Sequence, residues 1–245
     1  VQPLSRIFAN YNVTKIFQVR KISLCLTNFN RTEEVTQSFK QVLNDERIGE
    51  VIISDDASNQ ETRKYLELLA YPAKVIFHNE NAGMARNKMM AIKAAINEYC
   101  ILFDSDNVID KKYLDALYKR NWFPDIILMP DYAKPHFDYR ALREERINKY
   151  SVKRVAKKQM FDCLMNTCNY FVHRDTYLKI FEHNPAIKGC DTAWFNYLWL
   201  KAGNSFIVVP QMEYYHKVHD GSEWLKDADY NMKSGEEIKN LMLAL

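Results

Sequence analysis

Tyr99-Cys100-Ile101-Leu102-Phe103-Asp104-Ser105-Asp106 is the stretch that decides how the remainder of the chain is read. Its opening residues form a short apolar run, aromatic and branched, which reads as a buried strand. The run stops abruptly at two carboxylates spaced Asp-x-Asp. A strand end is a rigid place to hold charge, and hard divalent cations take oxygen ligands. Mg²⁺ in particular is held by one or two carboxylates together with substrate phosphates. The same spacing recurs at Asp227-Ala228-Asp229, but no strand feeds that copy and it reads as solvated surface.

The residues on the N-terminal side repeat the pattern. Lys21 to Thr27 reads as a strand, followed by the loop Asn28-Phe29-Asn30-Arg31 and a helix for which Asn30 and Glu33 suggest a capping box. Glu50 to Ser54 is a second strand, ending at Asp55-Asp56, with Ser58 and Glu61 as the next capping box and Pro72 closing the helix. Lys74 to His78 is a third strand. The helix after Asn79-Glu80-Asn81-Ala82-Gly83 places Ala85, Met89, Ile92 and Ile96 on one face. Strands alternating with amphipathic helices predict βαβ units and a mainly parallel sheet flanked by helices. Ligands of such sheets bind outside the carboxyl ends of the strands. Three strands here end in polar loops, at Thr27-Asn28-Phe29, Asp55-Asp56 and Asp104-Ser105-Asp106, and all three are expected along one rim.

On the C-terminal side the pattern loosens. Asp125 to Pro130 reads as a strand, and residues 139–160 as charged helix and loop. Asn169 to His173 reads as a strand leading into a short helix. Asp191 opens a helix with Gly203 at its end. Phe206 to Pro210 is a strand running on to Tyr214-Tyr215-His216, and Asp227 to Leu245 is an amphipathic helix packing back on the domain.

The 245 residues are ample for one large α/β domain, and 47% hydrophobic with 27% charged residues is ordinary for a globular chain. A net charge of +3 is too small to argue for nucleic acid, but leaves room for an anionic substrate or a peripheral membrane contact. No apolar run approaches a membrane span. Cys25, Cys100, Cys163, Cys168 and Cys190 are odd in number and scattered, so free thiols and a cytoplasmic setting are expected. The sequons at Asn12 and Asn30 are discounted, because a glycan on Asn30 would block the loop of the first strand.

The ordered set Leu26-Thr27-Asn28-Phe29-Asn30-Arg31, Ile53-Ser54-Asp55-Asp56-Ala57-Ser58, Asn81-x-Gly83-x-x-Arg86-Asn87 and Phe103-Asp104-Ser105-Asp106 resembles the nucleotide-binding half of GT-A glycosyltransferases, most closely the inverting family 2. Each motif alone is weak; four in register are specific. The resemblance is strong over residues 21–118, looser over 165–222, and implies one GT-A domain. Its donor-binding half would be 21–118 and its acceptor-binding half, with a smaller sheet, 119–222, followed by a C-terminal helix over 223–245.

The resemblance further implies Mn²⁺ or Mg²⁺ held against a sugar-nucleotide diphosphate, with Asp106 as direct ligand and Asp104 on the ribose or a metal-bound water. Asp56 would meet the pyrimidine base, flanked by Thr27 and Phe29. Arg31, Asn81, Gly83, Arg86 and Ser105 would complete the nucleotide site, and UDP is the expected nucleotide. Asp191 matches the general base, with Cys190 a departure where the family usually has a second acidic residue. His216, with His219 as competitor, matches the C-terminal metal ligand. Gly221 and Trp224 would belong to a loop over the donor. The absence of Gln-x-x-Arg-Trp argues against a processive synthase. Acceptor specificity is expected in the irregular stretch 131–168. The alternatives are a non-catalytic scaffold subunit and a sugar-nucleotide pyrophosphorylase, whose Gly-rich loop is missing here.

Overall fold

Branched and aromatic residues on both faces of a strand require cover on both sides, and this chain supplies it with helices. The computed structural model describes residues 19–69, 73–217, 225 and 227–245. The N-terminal half runs β1 (Ile22–Asn28), α1 (Glu33–Phe39), β2 (Ile48–Asp55), α2 (Gln60–Leu68), β3 (Lys74–Phe77), α3 (Met84–Lys93), β4 (Tyr99–Asp104) and α4 (Lys111–Tyr118). The second half runs β5 (Ile126–Lys134), β6 (Phe137–Asp138), β7 (Arg146–Ile147), α5 (Val152–Lys157), α6 (Asp162–Asn166), β8 (Tyr170–His173), α7 (Arg174–Ile180), α8 (Asp191–Lys201), β9 (Ser205–Tyr215) and α9 (Ala228–Leu243).

Among the described residues the strands form one sheet in the order β3-β2-β1-β4-β8-β5-β9-β7, with β6 pairing β5. The block β3-β2-β1-β4 is parallel, as is β5 with β9, while β8 and β7 run antiparallel to their neighbours. The expected smaller sheet of the second half is therefore an extension of the central one. Alternation along the strands sorts the core. Leu24, Leu26, Ile53, Ile101 and Phe103 pack against Phe39, Leu66 and Leu117 on one face. Cys25, Ile52, Cys100 and Leu102 share the other with Ile92, Trp199 and Ile238.

Two sequence expectations are corrected along the sheet. Pro130 and Pro210 read as strand ends, yet β5 and β9 run on beyond them to Lys134 and Tyr215. A register shift between Pro130 and Tyr132, with Gln211 at φ 65°, absorbs the disruption as a bulge. That continuation matters for the site, because it carries Tyr215 to a bridge with Val108, just beyond Asp106.

The capping boxes differ too. Thr32 precedes α1 without a side-chain cap, and Asn59, not Ser58, caps α2 by accepting from Thr62 N at 2.9 Å. Asn30 and Ser58 instead bond the two loops to each other: Asn30 N donates to Ser58 Oγ at 2.7 Å and Asn59 N to Asn30 Oδ1 at 2.8 Å. Pro72, His219, Gly221, Trp224 and the Asn12 sequon lie outside the described residues. Among those described, no helix is long and apolar enough to cross a membrane.

Candidate functional site

Parallel register sets the tips of β1, β2 and β4 side by side: Thr27 is opposite Asp104, and Asn28 opposite Asp55. The loops that follow remain tied to β1, since Asp56 N donates to Asn28 O at 2.9 Å and Ser105 N to Thr27 O at 3.2 Å. Asn28, 1% exposed, joins all three tips, donating to Asp55 Oδ1 at 3.1 Å and accepting from Ser105 Oγ at 3.1 Å. The expected rim is real, but not every polar residue faces outward on it. Asp55 is fully buried, accepting from Asn28, from Ser58 N at 3.2 Å and from the Ser58 hydroxyl, with Arg63 at 3.8 Å. It holds the rim together and cannot line a ligand site. The Ser105 hydroxyl is likewise turned inward.

Asp56 sits in a cradle of main chain. Its Oδ1 accepts from Ala82 N at 2.7 Å and its Oδ2 from Gly83 N at 3.0 Å. Burial pushes its carboxyl above the usual range, and the two N–H donors pull part of the way back. Asn81 and Gly83 build this cradle. Asn81 Nδ2 donates to Asp56 O at 3.3 Å, and Gly83, at φ 81° and ψ 160°, adopts a conformation open essentially to glycine alone. Thr27 and Phe29 are half-buried, while Arg86 is exposed on the first turn of α3.

The helix face of α3 is a correction with consequences. Ala85, Met89, Ile92 and Ile96 were expected on one face; Ile92 is buried and Met89 packs against the core, but Asn87, Lys88 and Ala91 are buried too, and Ile96 is exposed beyond the helix end. Lys88 is 6% exposed. Its ammonium donates to Asp191 Oδ2 at 2.9 Å and Thr192 Oγ1 at 3.1 Å, and lies 3.7 Å from Asp104 Oδ1. Burial alone would lower its pKa, but Asp104 and Asp191 more than offset that and hold it well above the usual lysine value. One buried cation thus joins the Asp-x-Asp of the first half to Asp191, the first residue of α8 in the second.

Asp104 is held from three further directions. Its N–H donates to Asn169 Oδ1 at 2.7 Å, Thr27 Oγ1 donates to Oδ1 at 3.3 Å, and the Cys168 thiol donates to Oδ2 at 2.8 Å. Burial first, and then the Asp104 charge, raise the Cys168 pKa far above normal, which keeps that thiol protonated. Cys190 faces away from the rim: its Sγ donates to Asn231 O at 3.1 Å, on α9. All five cysteines are free.

The Asp104 and Asp106 side chains remain about a quarter exposed, at 26% and 27%, with Arg31 3.9 Å from Asp106 Oδ2. Val108 and Tyr215 exchange hydrogen bonds of 2.9 and 3.0 Å, and Lys217 N donates to Asn107 Oδ1 at 3.1 Å. His216 is thereby placed beside the Asp-x-Asp loop. Its Nδ1 is 3.0 Å from His136 Nδ1, and its ring meets Phe137 edge-on. Carboxylate oxygens suit Mn²⁺ or Mg²⁺ in donor chemistry, and an imidazole beside them favours Mn²⁺ over the harder Mg²⁺. Among the described residues, however, no three His, Cys, Asp or Glu side chains form a ready-made cluster. A cation here would rely on substrate phosphates and water for the rest of its shell.

Sequence reading missed Lys88, Cys168 and His136, and gave Asn28 no role beyond its place in the first loop. For Lys88 the only signal was a lysine next to Asn87 in a motif already singled out, and its partner is 103 residues away.

Comparison with known proteins sharpens what this arrangement is. The chain is 29% identical over 103 residues to abequosyltransferase RfbV of Salmonella typhimurium, covering 39% of this chain and 31% of that protein. It is 28% identical over 103 residues to cholesterol galactosyltransferase of Borreliella burgdorferi, covering 41% and 29%. The matched stretch thus spans about a third of these relatives' length. Among solved structures, S. aureus TarS 1-349 in complex with UDP-GlcNAc superposes with a TM-score of 0.65 at 16% identity, over 91% of this chain and 70% of that one. GalNAc-T7 with UDP, GalNAc and Mn²⁺ gives 0.62 at 14% identity, over 82% and 44%. At such identities the likeness is one of fold, and it matches the architecture expected from the strand tips. The model of glycosyl transferase family 2 matches residues 23–178, and the chain belongs to that family.

Proposed function

We propose that this chain is a metal-dependent, inverting glycosyltransferase that moves one sugar per encounter from a UDP-linked donor to a hydroxyl of a carbohydrate or glycoconjugate. The observation that carries the reading is the meeting of Asp104 and Asp191, from opposite halves of the chain, around the buried Lys88. In this reading residues 21–118 hold the donor and 119–222 the acceptor. Asp56 in its main-chain cradle meets the base, with Thr27, Phe29, Arg31 and Arg86 around the nucleotide. Asp104, Asp106 and His216 would hold Mn²⁺ or Mg²⁺, which when bound stabilises charge on the departing diphosphate. The UDP-GlcNAc complex of TarS and the UDP- and Mn²⁺-containing GalNAc-T7 support the choice of nucleotide and metal.

Asp191 acts as general base. The acceptor O–H bond breaks and its proton passes to the Asp191 carboxylate. The oxygen lone pair then bonds to the anomeric carbon, and the bond from that carbon to the diphosphate breaks, its electron pair leaving with UDP. Attack from the face opposite the leaving group inverts the centre. The departure at Cys190 does not weaken this role, because that side chain packs on α9 and lies outside the reacting space.

The test is a thermal-shift series with UDP, UDP-sugars and other nucleoside diphosphates, with and without Mn²⁺, joined to an assay of UDP release. A ligand that binds only the folded state raises the melting temperature by mass action, about 2.7 kcal/mol at a hundred times Kd. Stabilisation by UDP that requires Mn²⁺, with slow UDP release from a UDP-sugar, is expected. Binding without any donor turnover would favour the scaffold reading, and indifference to both nucleotide and metal would end the proposal.

A further inference from the structure

The proposed donor and metal contacts leave one buried charge without a task. Lys88 stands on the second turn of α3, 6% exposed. A lysine ammonium has three N–H donors and no acceptor. Here its neighbours are three oxygens: Asp191 Oδ2 at 2.9 Å, Thr192 Oγ1 at 3.1 Å and Asp104 Oδ1 at 3.7 Å. Two of the three N–H groups are taken by hydrogen bonds to Asp191 and Thr192, and the charge faces Asp104 as an ion pair. The two oxygens of Asp191 are meanwhile not equivalent. Lys88 caps Oδ2, while no described residue donates to Oδ1. A carboxylate buried to this degree is costly unless paired.

We propose that Lys88 is the positioning residue of the transfer step: it clamps Asp191 through Oδ2 and presents Oδ1 as the atom that takes the acceptor's proton. The inference rests on, and deepens, the reading of Asp191 as general base. The Thr192 hydroxyl fixes the ammonium from the adjacent residue of α8, and the contact with Asp104 sets the base at a defined offset from the donor side. The Asp191 carboxyl is then oriented before the acceptor arrives, and no reorganisation is needed at the moment of attack.

The experiment compares K88M, K88R, D191N and the double variant K88M/D191N in the full chain with the wild type. Water serves as acceptor, and the donor is whichever of UDP-glucose, UDP-galactose and UDP-GlcNAc the wild type hydrolyses fastest with Mn²⁺. UDP affinity is measured in parallel. K88M is expected to slow UDP release about 100-fold, within the usual contribution of a general base. Its UDP affinity should stay at the wild-type value, and K88R should restore part of the rate. K88M/D191N should be no slower than D191N, because residues that act as a unit are not additive.

K88M at the wild-type rate, loss of UDP affinity in K88M, or a double variant slower than D191N by about tenfold or more would each overturn the inference. Should K88M not fold, the double variant removes both buried charges and carries the comparison alone. D191N turning over at the wild-type rate would instead remove the base assignment itself. A slow D191N beside a fast K88M would remove only the role of Lys88.

Discussion

Replacing Gly83 by alanine separates backbone strain from steric clash at the main-chain cradle of Asp56. Gly83 sits at φ 81° and ψ 160°, and a Cβ built on it would meet nothing within 4 Å. The whole cost of G83A is therefore conformational, about 1–3 kcal/mol for a side chain forced into that region. At about 2–4 °C per kcal/mol for a domain of this size, the melting temperature should fall roughly 2–12 °C. The chain has one way to avoid that cost: it can rotate the peptide and give up the Gly83 N–H bond to Asp56 Oδ2, now 3.0 Å. A hydrogen bond to a charged group is worth about 1.5–3 kcal/mol, so a misplaced Asp56 should weaken UDP binding by about 10- to 100-fold. Gly203 supplies the control, with φ 89° and equally open space, at the end of α8. G203A should lose about 1–2 kcal/mol for its left-handed residue and leave UDP binding alone. Calorimetric titration of both variants with UDP and Mn²⁺ decides the matter. If G83A and G203A bind UDP equally well, the cradle does not orient Asp56 for a ligand.

Asp55 is a structural carboxylate, so D55A should strand the Asn28 and Ser58 donors and the Arg63 guanidinium. The expected loss is about 3–5 kcal/mol, read as a lower urea midpoint, and a loss under about 1 kcal/mol would show that the buried carboxylate is dispensable. Asp56, with its pKa raised by burial, predicts a sign. Its contribution to stability is full below the unfolded value of about 4 and is lost as pH rises through the higher folded value. The stability of the wild type relative to D56N should therefore fall as pH rises above about 4, by chemical denaturation at each pH; a rise would mean that the main-chain donors outweigh burial. Burial raises the thiols of Cys25, Cys163 and Cys190, so a thiol reagent at pH 8 should label these cysteines at an appreciable rate only after denaturant is added. Rapid labelling of these three in the native chain would contradict their burial.

The parallel half of the sheet was legible because each of its strands is a short apolar run closed by polar residues, a pattern that local physics alone imposes. In the second half β5, β8 and β9 were legible as strands but the extent of β5 and β9 was not, because each carries a proline whose disruption is absorbed by a bulge, and a bulge depends on the neighbouring strand and leaves no mark in the run itself. The site failed to read in a more instructive way. A helix that flanks a sheet normally buries its apolar stripe, so the face of α3 was assigned by hydrophobic spacing. The inward face changes character along its length: Ala91 and Ile92 bury against the core, while Asn87 and Lys88, one turn earlier, bury against the rim. A polar pair on an otherwise apolar face is what a helix must carry where it passes from core to site. Periodicity assigns such residues to solvent, because it cannot see that Asp191 and Asp104 wait on the inside. Asp55 and Asp56 pose the same problem in reverse. They are adjacent and chemically identical, yet one closes the rim internally and the other stands in the main-chain cradle of Ala82 and Gly83, and only the register of β1 against β2 distinguishes them. The chemistry of this rim therefore depends on which acidic side chains the surrounding donors leave with a free oxygen. By that criterion Asp191, the proposed base, keeps one oxygen clear of Lys88, and Asp55, bonded from three donors and paired with Arg63, keeps none.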